Sequence, residues 1–352
     1  MRLLAVALCL MLASCAAPVH KPESPTSVAR EEKGKPSPTA PKLRAEAQSL
    51  APLVHSALAR DFLAATASLP GMAARTVFVN PARRYFSRTA ADALPEKQRA
   101  ALKPVELDDY RYYYTKYGSP LAYVRAVELL SQQGIASFAG KRILDYGYGT
   151  VGHLRLLASL GADAVGVDVD SYVAALYSEP GDTGTVPGYR SGPPGTIKLV
   201  NGRYPADKEV AGRVGGGFDI IISKNTLKRG YIKPARPAEQ RLLIQLGVRD
   251  EVFLKTIAAA LRRGGIFLIY NIAPAPALPN KPYIPWADAR SPFTRKQFEA
   301  AGLRVVAFDM NDDAFVRSMG RALGWHGTEK HEDRDADFGQ NLFALYTIVV
   351  KI

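Results

Sequence analysis

The second half of the sequence alternates between short apolar stretches and amphipathic stretches, and this alternation restricts the fold more than any other feature. The apolar, strand-like stretches are residues 142–146, 164–169, 196–200, 218–223, 266–271, 304–309 and 342–351. Helical spacing of apolar residues separates several of them, at 153–160, 249–263 and 292–302. Strands that alternate with helices form a mostly parallel sheet covered by helices on both faces. We therefore expect a doubly wound α/β fold with a seven-stranded sheet, whose last strand is an added antiparallel edge.

A glycine-containing loop follows the first of these strands. Gly147, Gly149 and Gly152 stand between the end of the strand and the next helix. Glycines at such a place permit a tight turn and let a ligand approach the backbone. Asp168 ends the second strand, where a carboxylate can accept hydrogen bonds from both hydroxyls of a ribose. Together these residues predict an adenosine-type ligand over the carboxyl ends of the first two strands.

Two families of cofactor-binding proteins use this plan. The spacing Gly147-x-Gly149-x-x-Gly152 matches the dinucleotide fingerprint, which would make the chain an NAD(P)- or flavin-binding protein. However, Asp145-x-Gly147-x-Gly149 resembles motif I of the class I, Rossmann-like, S-adenosylmethionine-dependent methyltransferases. A buried carboxylate at Asp145 would repel a neighbouring pyrophosphate. We therefore favour the methyltransferase resemblance.

The resemblance to class I methyltransferases extends over about residues 140–352. Segment 218–223 resembles the fourth strand of that family, and segment 261–271 resembles its Gly-Gly turn and fifth strand. The sequence departs from the family at Val151, which replaces the usual third glycine, and at Asn201, where an acidic residue often lies near the adenine. The resemblance implies S-adenosyl-L-methionine as the cofactor, with a binding site made of Asp145, Gly147, Gly149, Asp168, Asn201 and Tyr117.

Tyr117 belongs to a tyrosine-rich stretch, residues 110–123, just before motif I. In many members of the family that the chain resembles, a segment in this place closes over the cofactor, and an aromatic face can stabilise a positive sulfonium. The alternative is an aromatic packing seam between an N-terminal subdomain and the sheet. His153 is expected to be a half-buried packing residue.

No catalytic base is predicted, because a methyl group on a sulfonium is already reactive and the protein mainly has to orient the reactants and exclude water. The methyl acceptor is not identified by the sequence. Loop residues at the expected mouth of the site are candidates for shaping its pocket; they are Lys224, Asn225, Tyr283 and Trp286.

The N-terminus resembles the signal peptide of bacterial lipoproteins. Arg2 precedes an apolar stretch at residues 3–12, and the stretch ends in the lipobox-like sequence Leu12-Ala13-Ser14-Cys15. The resemblance implies removal of residues 1–14 and a lipid anchor on Cys15, which would hold the protein in the cell envelope, facing the periplasm or the exterior. The outer membrane is favoured in an organism with two membranes.

Three further segments follow the leader. Residues 15–42 are rich in proline and lack apolar periodicity, which predicts a tether. Residues 43–135 carry helical periodicity and breakers, which predict a helical N-terminal subdomain. Residues 136–352 form the methyltransferase-like domain. The other cysteine, Cys9, lies in the leader, so no disulfide or thiolate metal site is expected.

The chain is basic, with 46 Lys and Arg against 33 Asp and Glu. The basic residues are scattered, which favours weak attraction to an anionic membrane surface over nucleic-acid binding. Residues 223–226 also lack the Asn-Pro-Pro-Tyr type of motif that methylases of base amines use. Residues 326–337 contain His, Asp and Glu, but Gly327 and basic residues interrupt them, so we expect a solvated loop and no metal.

The two resemblances point to different compartments. S-adenosylmethionine is made in the cytoplasm, whereas the leader would direct the chain outside it. The principal hypothesis is methyl transfer to an unidentified small-molecule or envelope-component acceptor by a membrane-anchored lipoprotein. The main alternative is a non-catalytic binding or scaffold protein of the envelope that keeps the fold, because fold alone does not imply function.

Overall fold

The computed structural model describes residues 39–325 and 341–352. The predictions for the leader, for Cys15, for most of the tether and for the loop 326–337 lie outside these residues. The α-helices are α1 (Ala40–Leu50), α2 (Ala57–Ala64), α3 (Arg88–Asp92), α4 (Glu96–Arg99), α5 (Asp109–Tyr114), α6 (Val124–Gln132), α7 (Gly152–Ser159), α8 (Ser171–Leu176), α9 (Lys208–Val214), α10 (Arg229–Ile232), α11 (Asp250–Ala260), α12 (Arg295–Ala300) and α13 (Asp313–Ala322). Short 3₁₀ turns lie at Ala51–Leu53, Ala65–Ser68, Pro120–Tyr123, Pro180–Asp182, Gln240–Leu242 and Pro285–Ala287.

The strands form two sheets. They are β1 (Arg75–Val79), β2 (Tyr85–Phe86), β3 (Lys103–Leu107), β4 (Arg142–Tyr146), β5 (Asp163–Asp168), β6 (Gly184–Val186), β7 (Gly195–Asn201), β8 (Phe218–Lys224), β9 (Leu261–Ala273), β10 (Leu303–Asn311) and β11 (Phe343–Lys351). The large sheet has eight strands in the order β10-β11-β9-β8-β4-β5-β7-β6. Strands β7, β5, β4, β8 and β9 pair in parallel. The doubly wound, Rossmann-like fold predicted from the sequence is confirmed.

The large sheet differs from the prediction in two ways. It has eight strands rather than seven, because the three-residue strand β6, antiparallel to β7, is too short to leave a sequence signal. In addition, β11 is antiparallel as expected but lies inside the sheet, between β9 and β10. The burial of the two strands explains this order. Residues 347–349 of β11 are buried, whereas most of β10 is partly or fully exposed and suits an edge.

The sheet separates two hydrophobic cores, because successive side chains of a strand point to opposite faces. Ile143 and Ile220 belong to one core, which also holds α1, α2, α6 and α7. Leu144 and Ile221, the next residues along each strand, belong to the other core, with α11 and α12. Covering on both faces explains why these strands read as continuous apolar runs.

The N-terminal part contains the expected helices and also a small sheet. Strands β2, β1 and β3 form this three-stranded antiparallel sheet, in which Val77 pairs with Val105. It is tied to the main sheet region by Arg75, whose guanidinium lies 2.6 Å from the buried carboxylate of Asp182. No helix in the described part of the chain is long and apolar enough to cross a membrane.

Candidate functional site

A cavity of about 540 Å³ opens at the carboxyl ends of the central parallel strands. This is the position at which open α/β sheets bind ligands. Its walls are mostly aromatic and apolar, with a few charged groups; they are made by Tyr117, Ser119, Tyr123, Tyr146, Gly147, Tyr148, Gly149, Thr150, Val167, Asp168, Val169, Asp170, Gly202, Arg203, Tyr204, Lys224, Asn225, Thr226, Tyr231, Leu243, Ile244, Gln245 and Leu246. Four of the predicted cofactor residues lie in this wall, namely Gly147, Gly149, Asp168 and Tyr117.

The loop after β4 requires glycine at two positions. Gly147 has a φ of +80° and Gly149 a φ of +56°, which side-chain-bearing residues rarely adopt. A Cβ atom on Gly147 would lie 2.1 Å from Oγ1 of Thr226, and one on Gly149 would lie 2.8 Å from the ring of Tyr117. The glycines therefore let two neighbouring segments approach the loop closely.

Four backbone N–H groups of this loop and of the start of α7 are bonded within the protein. Gly147 donates to Val167 O (2.8 Å), Gly149 to Asp168 Oδ2 (3.0 Å), Thr150 to Tyr148 O (2.5 Å) and Gly152 to Thr150 Oγ1 (3.3 Å). In dinucleotide-binding folds, such N–H groups and the following helix N-terminus face a pyrophosphate. Here the loop does not offer these donors to a ligand.

Segment 113–120 covers the N-terminus of α7. Pro120 and Tyr113 lie 2.8 Å and 3.4 Å from the place where a Cβ on Gly152 would be. The hydroxyl of Thr150 donates to the carbonyl oxygen of Tyr113, at 2.7 Å. Side chains therefore occupy the space at the end of α7 that a phosphate would need.

Asp168 is the carboxylate at the end of β5. Its Oδ2 accepts from Gly149 N, and its Oδ1 accepts from Asp170 N at 2.9 Å. Burial raises the pKa of Asp168 to about 6, although the hydrogen bonds from Asp170 and Gly149 act in the opposite direction. Each oxygen keeps a second lone pair, so the carboxylate can still accept from a ligand in the cavity.

Asn201 is placed differently from the other predicted residues. It is exposed, and its amide donates to the carbonyl oxygen of Asp168 at 3.0 Å. It does not belong to the cavity wall, in which Gly202, Arg203 and Tyr204 follow it. The side chain of Asn201 therefore supports the end of β5 from outside the cavity.

The ring of Tyr117 lies over the loop glycine Gly149. Its hydroxyl donates to Asp170 Oδ2 at 2.5 Å, and the ammonium of Lys116 contacts the same oxygen at 2.5 Å. These two contacts lower the pKa of Asp170, against the raising effect of burial. The side chain is 49% exposed, so one ring face is not packed in the core. Residues 116 and 117 thus form a lid that is held to the α8 side of the cavity.

Asp145, the acidic residue of the predicted motif, lies behind the cavity wall and is fully buried. Its Oδ2 accepts from the hydroxyl of Tyr123 at 2.7 Å and contacts His153 Nε2 at 2.5 Å. The rings of Tyr123 and His153 stack, with centroids 3.5 Å apart. Burial lowers the pKa of His153, and this effect outweighs the opposing one of Asp145, so the neutral ring donates through Nε2.

The expectation that His153 is half-buried is therefore wrong. The residue is completely buried and fixes the acidic residue of the loop. A hydrogen-bonding partner for Asp145 could have been inferred from the spacing, since residue 153 lies in the first turn of the helix that follows the loop. Within residues 39–325 and 341–352, Asp145 Oδ1 and His153 Nδ1 have no hydrogen-bond partner.

Of the four loop residues predicted near the acceptor, two lie in the wall. Lys224, the last residue of β8, and Asn225, which follows it, line the cavity, whereas Tyr283 and Trp286 do not. Tyr231 and segment 243–246 also line the cavity, and no motif or spacing in the sequence indicates them. No group of three or more His, Cys, Asp or Glu residues able to hold a metal occurs in the described ranges.

Comparisons with known proteins were made for sequence and structure. No family model and no curated protein matches the sequence. Among solved structures, phosphoethanolamine N-methyltransferase 2 of Haemonchus contortus with S-adenosyl-L-methionine is similar at 14% identity and a TM-score of 0.42, over 79% of this chain and 67% of that chain. Magnesium protoporphyrin IX methyltransferase of Synechocystis PCC 6803 with bound SAH is similar at 14% identity and a TM-score of 0.36, over 66% and 83%.

A third similar structure is an S-adenosylmethionine-dependent methyltransferase of Mesorhizobium loti, at 14% identity and a TM-score of 0.36, covering 65% of this chain and 98% of that one. With TM-scores below 0.5, these similarities carry no weight for the fold, which rests on the strand order of the chain itself.

Proposed function

We propose that the cavity binds S-adenosyl-L-methionine and that the protein transfers its methyl group to an acceptor. The observation that carries the proposal is the combination, at the ends of the neighbouring strands β5 and β4, of an available carboxylate, Asp168, and a glycine loop of which several N–H groups are already bonded. This combination suits an adenosyl ligand that has a ribose and no phosphate.

A dinucleotide fits the same loop poorly. Its pyrophosphate would lie at the N-terminus of α7, which Pro120 covers. A sulfonium ligand is positively charged, so the carboxylates of Asp168 and Asp170 and the tyrosine faces of the cavity wall favour it.

The residues of the chain have separable tasks under this proposal. Asp168 accepts from the ribose hydroxyls, and the Gly149 N–H holds its carboxylate in place. Tyr117 covers the loop from the solvent side. The cavity volume of about 540 Å³ lies within the range of small-molecule sites. The cofactor supplies a reactive methyl group on a sulfonium, and the aromatic walls exclude water from it.

Our proposal for the acceptor is a small molecule or a component of the cell envelope. The support is the composition of the wall, because Leu243, Ile244 and Leu246 give it an apolar part that the adenosyl contacts proposed above do not use. For the location, we propose a lipid anchor at Cys15 in the envelope, which rests on the lipobox-like sequence alone. Mass spectrometry of the protein expressed in a Gram-negative host, beside Cys15→Ser, tests the anchor through the mass of the N-terminal peptide.

Calorimetric titration of the full chain tests the cofactor assignment. We expect micromolar binding of S-adenosylmethionine and S-adenosylhomocysteine, strong loss of both in Asp168→Ala, and no binding of NAD or NADP. Asp163→Ala, a change at the half-buried start of the same strand and outside the cavity wall, is the matched control. Binding of a dinucleotide in preference to both sulfur ligands would overturn the proposal. Binding of both sulfur ligands without methyl transfer to any acceptor would favour the scaffold alternative.

A further inference from the structure

Lys224 is a cation in the cavity wall that lacks an acidic partner. It is the last residue of β8, and β8 pairs with β4 so that Asp145 lies beside Ile222. Lys224 lies two residues beyond this pair, on the strand next to the one that leads into the glycine loop, and both Lys224 and the loop line the cavity. It is thus at the end of the cavity next to the glycine loop.

The surroundings of the Lys224 ammonium are mostly uncharged. Its recorded contact is the face of the Tyr123 ring, whose centroid lies 5.2 Å from Nζ. Among the described residues, no carboxylate lies within ion-pair distance of Lys224, although Asp145 is near enough to favour its charge. The second buried lysine nearby, Lys228, has its ammonium bonded to the carbonyl oxygens of Ile272 and Trp286.

The carboxylates of the cavity wall have other partners. Asp168 accepts from two backbone N–H groups, and Asp170 accepts from Lys116 and Tyr117. Neither forms an ion pair with Lys224 in the described part of the chain, and Asp145, whose Oδ2 is held by Tyr123 and His153, lies near enough to favour the charge of Lys224 but outside ion-pair distance. A buried cation without a partner is unfavourable, and burial lowers the pKa of Lys224 to about 8. An anion from outside the protein would remove this penalty.

We propose that Lys224 binds a carboxylate of a ligand in the cavity. This carboxylate has two sources. One is the amino-acid end of the cofactor, which the position of Lys224 next to the glycine loop favours, and for this source the inference rests on the proposed function. The other source is an acidic methyl acceptor. In both cases the ammonium, which lies over the Tyr123 ring, donates a hydrogen bond to a carboxylate oxygen, and no proton is transferred.

The experiment compares Lys224→Met, Lys224→Arg and the exposed control Lys198→Met with the native full chain. The ligands are S-adenosylhomocysteine and its decarboxylated analogue, and calorimetry gives the two affinities. If the carboxylate is the cofactor's, Lys224→Met weakens the binding of S-adenosylhomocysteine by about tenfold to a hundredfold and leaves the affinity for the decarboxylated analogue unchanged. Lys224→Arg then restores part of the loss.

A second arm titrates benzoate into protein saturated with S-adenosylhomocysteine. If the carboxylate belongs to the acceptor, the native chain binds benzoate, Lys224→Met does not, and the affinity for S-adenosylhomocysteine is the same in both. Unchanged results in both arms would overturn the inference. If the native chain binds no S-adenosylhomocysteine, the proposed function fails, and benzoate titration of the ligand-free chain alone decides the role of Lys224.

A measurement on the native chain removes any dependence on the folding of the variants. The preference for S-adenosylhomocysteine over the decarboxylated analogue should fall as the pH rises from 7 to above 9, because Lys224 loses its proton near pH 8. A preference that stays constant over this range would contradict a carboxylate contact to the cofactor.

Discussion

Cofactor affinity should depend on pH through Asp168. Burial raises the pKa of this carboxyl to about 6 in the free protein, against the opposing hydrogen bonds from Asp170 and Gly149. Only the ionised carboxylate can accept from two ribose hydroxyls while it also accepts from the backbone. Ligand binding should therefore lower the pKa of Asp168, and protonation of Asp168 as the pH falls through 6 should weaken ligand binding.

The size of the effect follows from the free-protein pKa. With a pKa of about 6, roughly one molecule in eleven is ionised at pH 5 and roughly ten in eleven at pH 7. If the bound form stays ionised, the affinity for S-adenosylhomocysteine falls by about tenfold from pH 7 to pH 5, with little change between pH 7 and 8. S-adenosylhomocysteine is the better probe because it has no group that titrates in this range.

The assay is calorimetric titration of the native chain and of Asp168→Asn at four values of pH between 5 and 8. The variant should bind weakly and without the acid-range dependence. Other groups that can titrate here are His153, whose pKa burial lowers from the usual value, and the buried lysines Lys224 and Lys228, whose pKa values burial lowers to about 8 and about 7. An equal pH dependence in Asp168→Asn would assign the effect to one of these groups, and a flat profile in the native chain would refute the role of Asp168 in holding the ribose.

Asp168 also affects the stability of the ligand-free protein. A carboxyl whose pKa is raised on folding favours the folded state below its unfolded pKa, and this contribution is lost as the pH rises through the folded value. The shift of about two pK units corresponds to at most about 3 kcal/mol. The melting temperature of the native chain should therefore fall between pH 4 and 6 relative to that of Asp168→Asn. The site thus keeps a carboxylate whose ionisation lowers the stability of the ligand-free protein.

Three further changes test individual contacts. Tyr117→Ala should weaken S-adenosylmethionine binding more than S-adenosylhomocysteine binding, because only the former carries the sulfonium charge; equal losses in calorimetry would indicate packing alone. Gly147→Ala should reduce the free energy of unfolding in urea by more than about 1 kcal/mol, and Thr226→Ala in the same chain should recover part of this, since the new Cβ would lie 2.1 Å from Oγ1 of Thr226. Arg75→Met should lower the free energy of unfolding by about 3 kcal/mol, because it leaves the buried carboxylate of Asp182 without its cation; a loss below about 1 kcal/mol would mean that solvent screens the pair.

Much of the main sheet could be predicted because its signals are local. The strands β4, β5 and β8 are apolar runs that end at turns, and the positions of the loop glycines follow from backbone conformation. The predicted end of the helix at residue 263 is wrong, since α11 ends at Ala260 and Leu261 already pairs with Phe218. Apolar residues continue through this junction, so periodicity could not locate it.

Other features depend on contacts that are distant in sequence. The order of β10 and β11 follows from which strand is better buried, which single stretches of sequence do not reveal. The bonding of the loop N–H groups depends on how segment 113–120 packs, and the isolation of Lys224 depends on where the nearest carboxylates find their partners. The site residues predicted from motif I were mostly brought to one cavity, whereas the exclusion of a pyrophosphate needed the tertiary structure.

The position of β11 has a consequence for how the chain is completed. Among the strands described, β10 has a hydrogen-bonded neighbour only in β11, which follows it along the chain and also pairs with β9. A chain that emerges from the ribosome with its N-terminus first therefore leaves both β9 and β10 unpaired on this side of the sheet until β11 has been made. The antiparallel part of the sheet thus closes by insertion of a late strand between two earlier ones, rather than by addition of a strand at the edge.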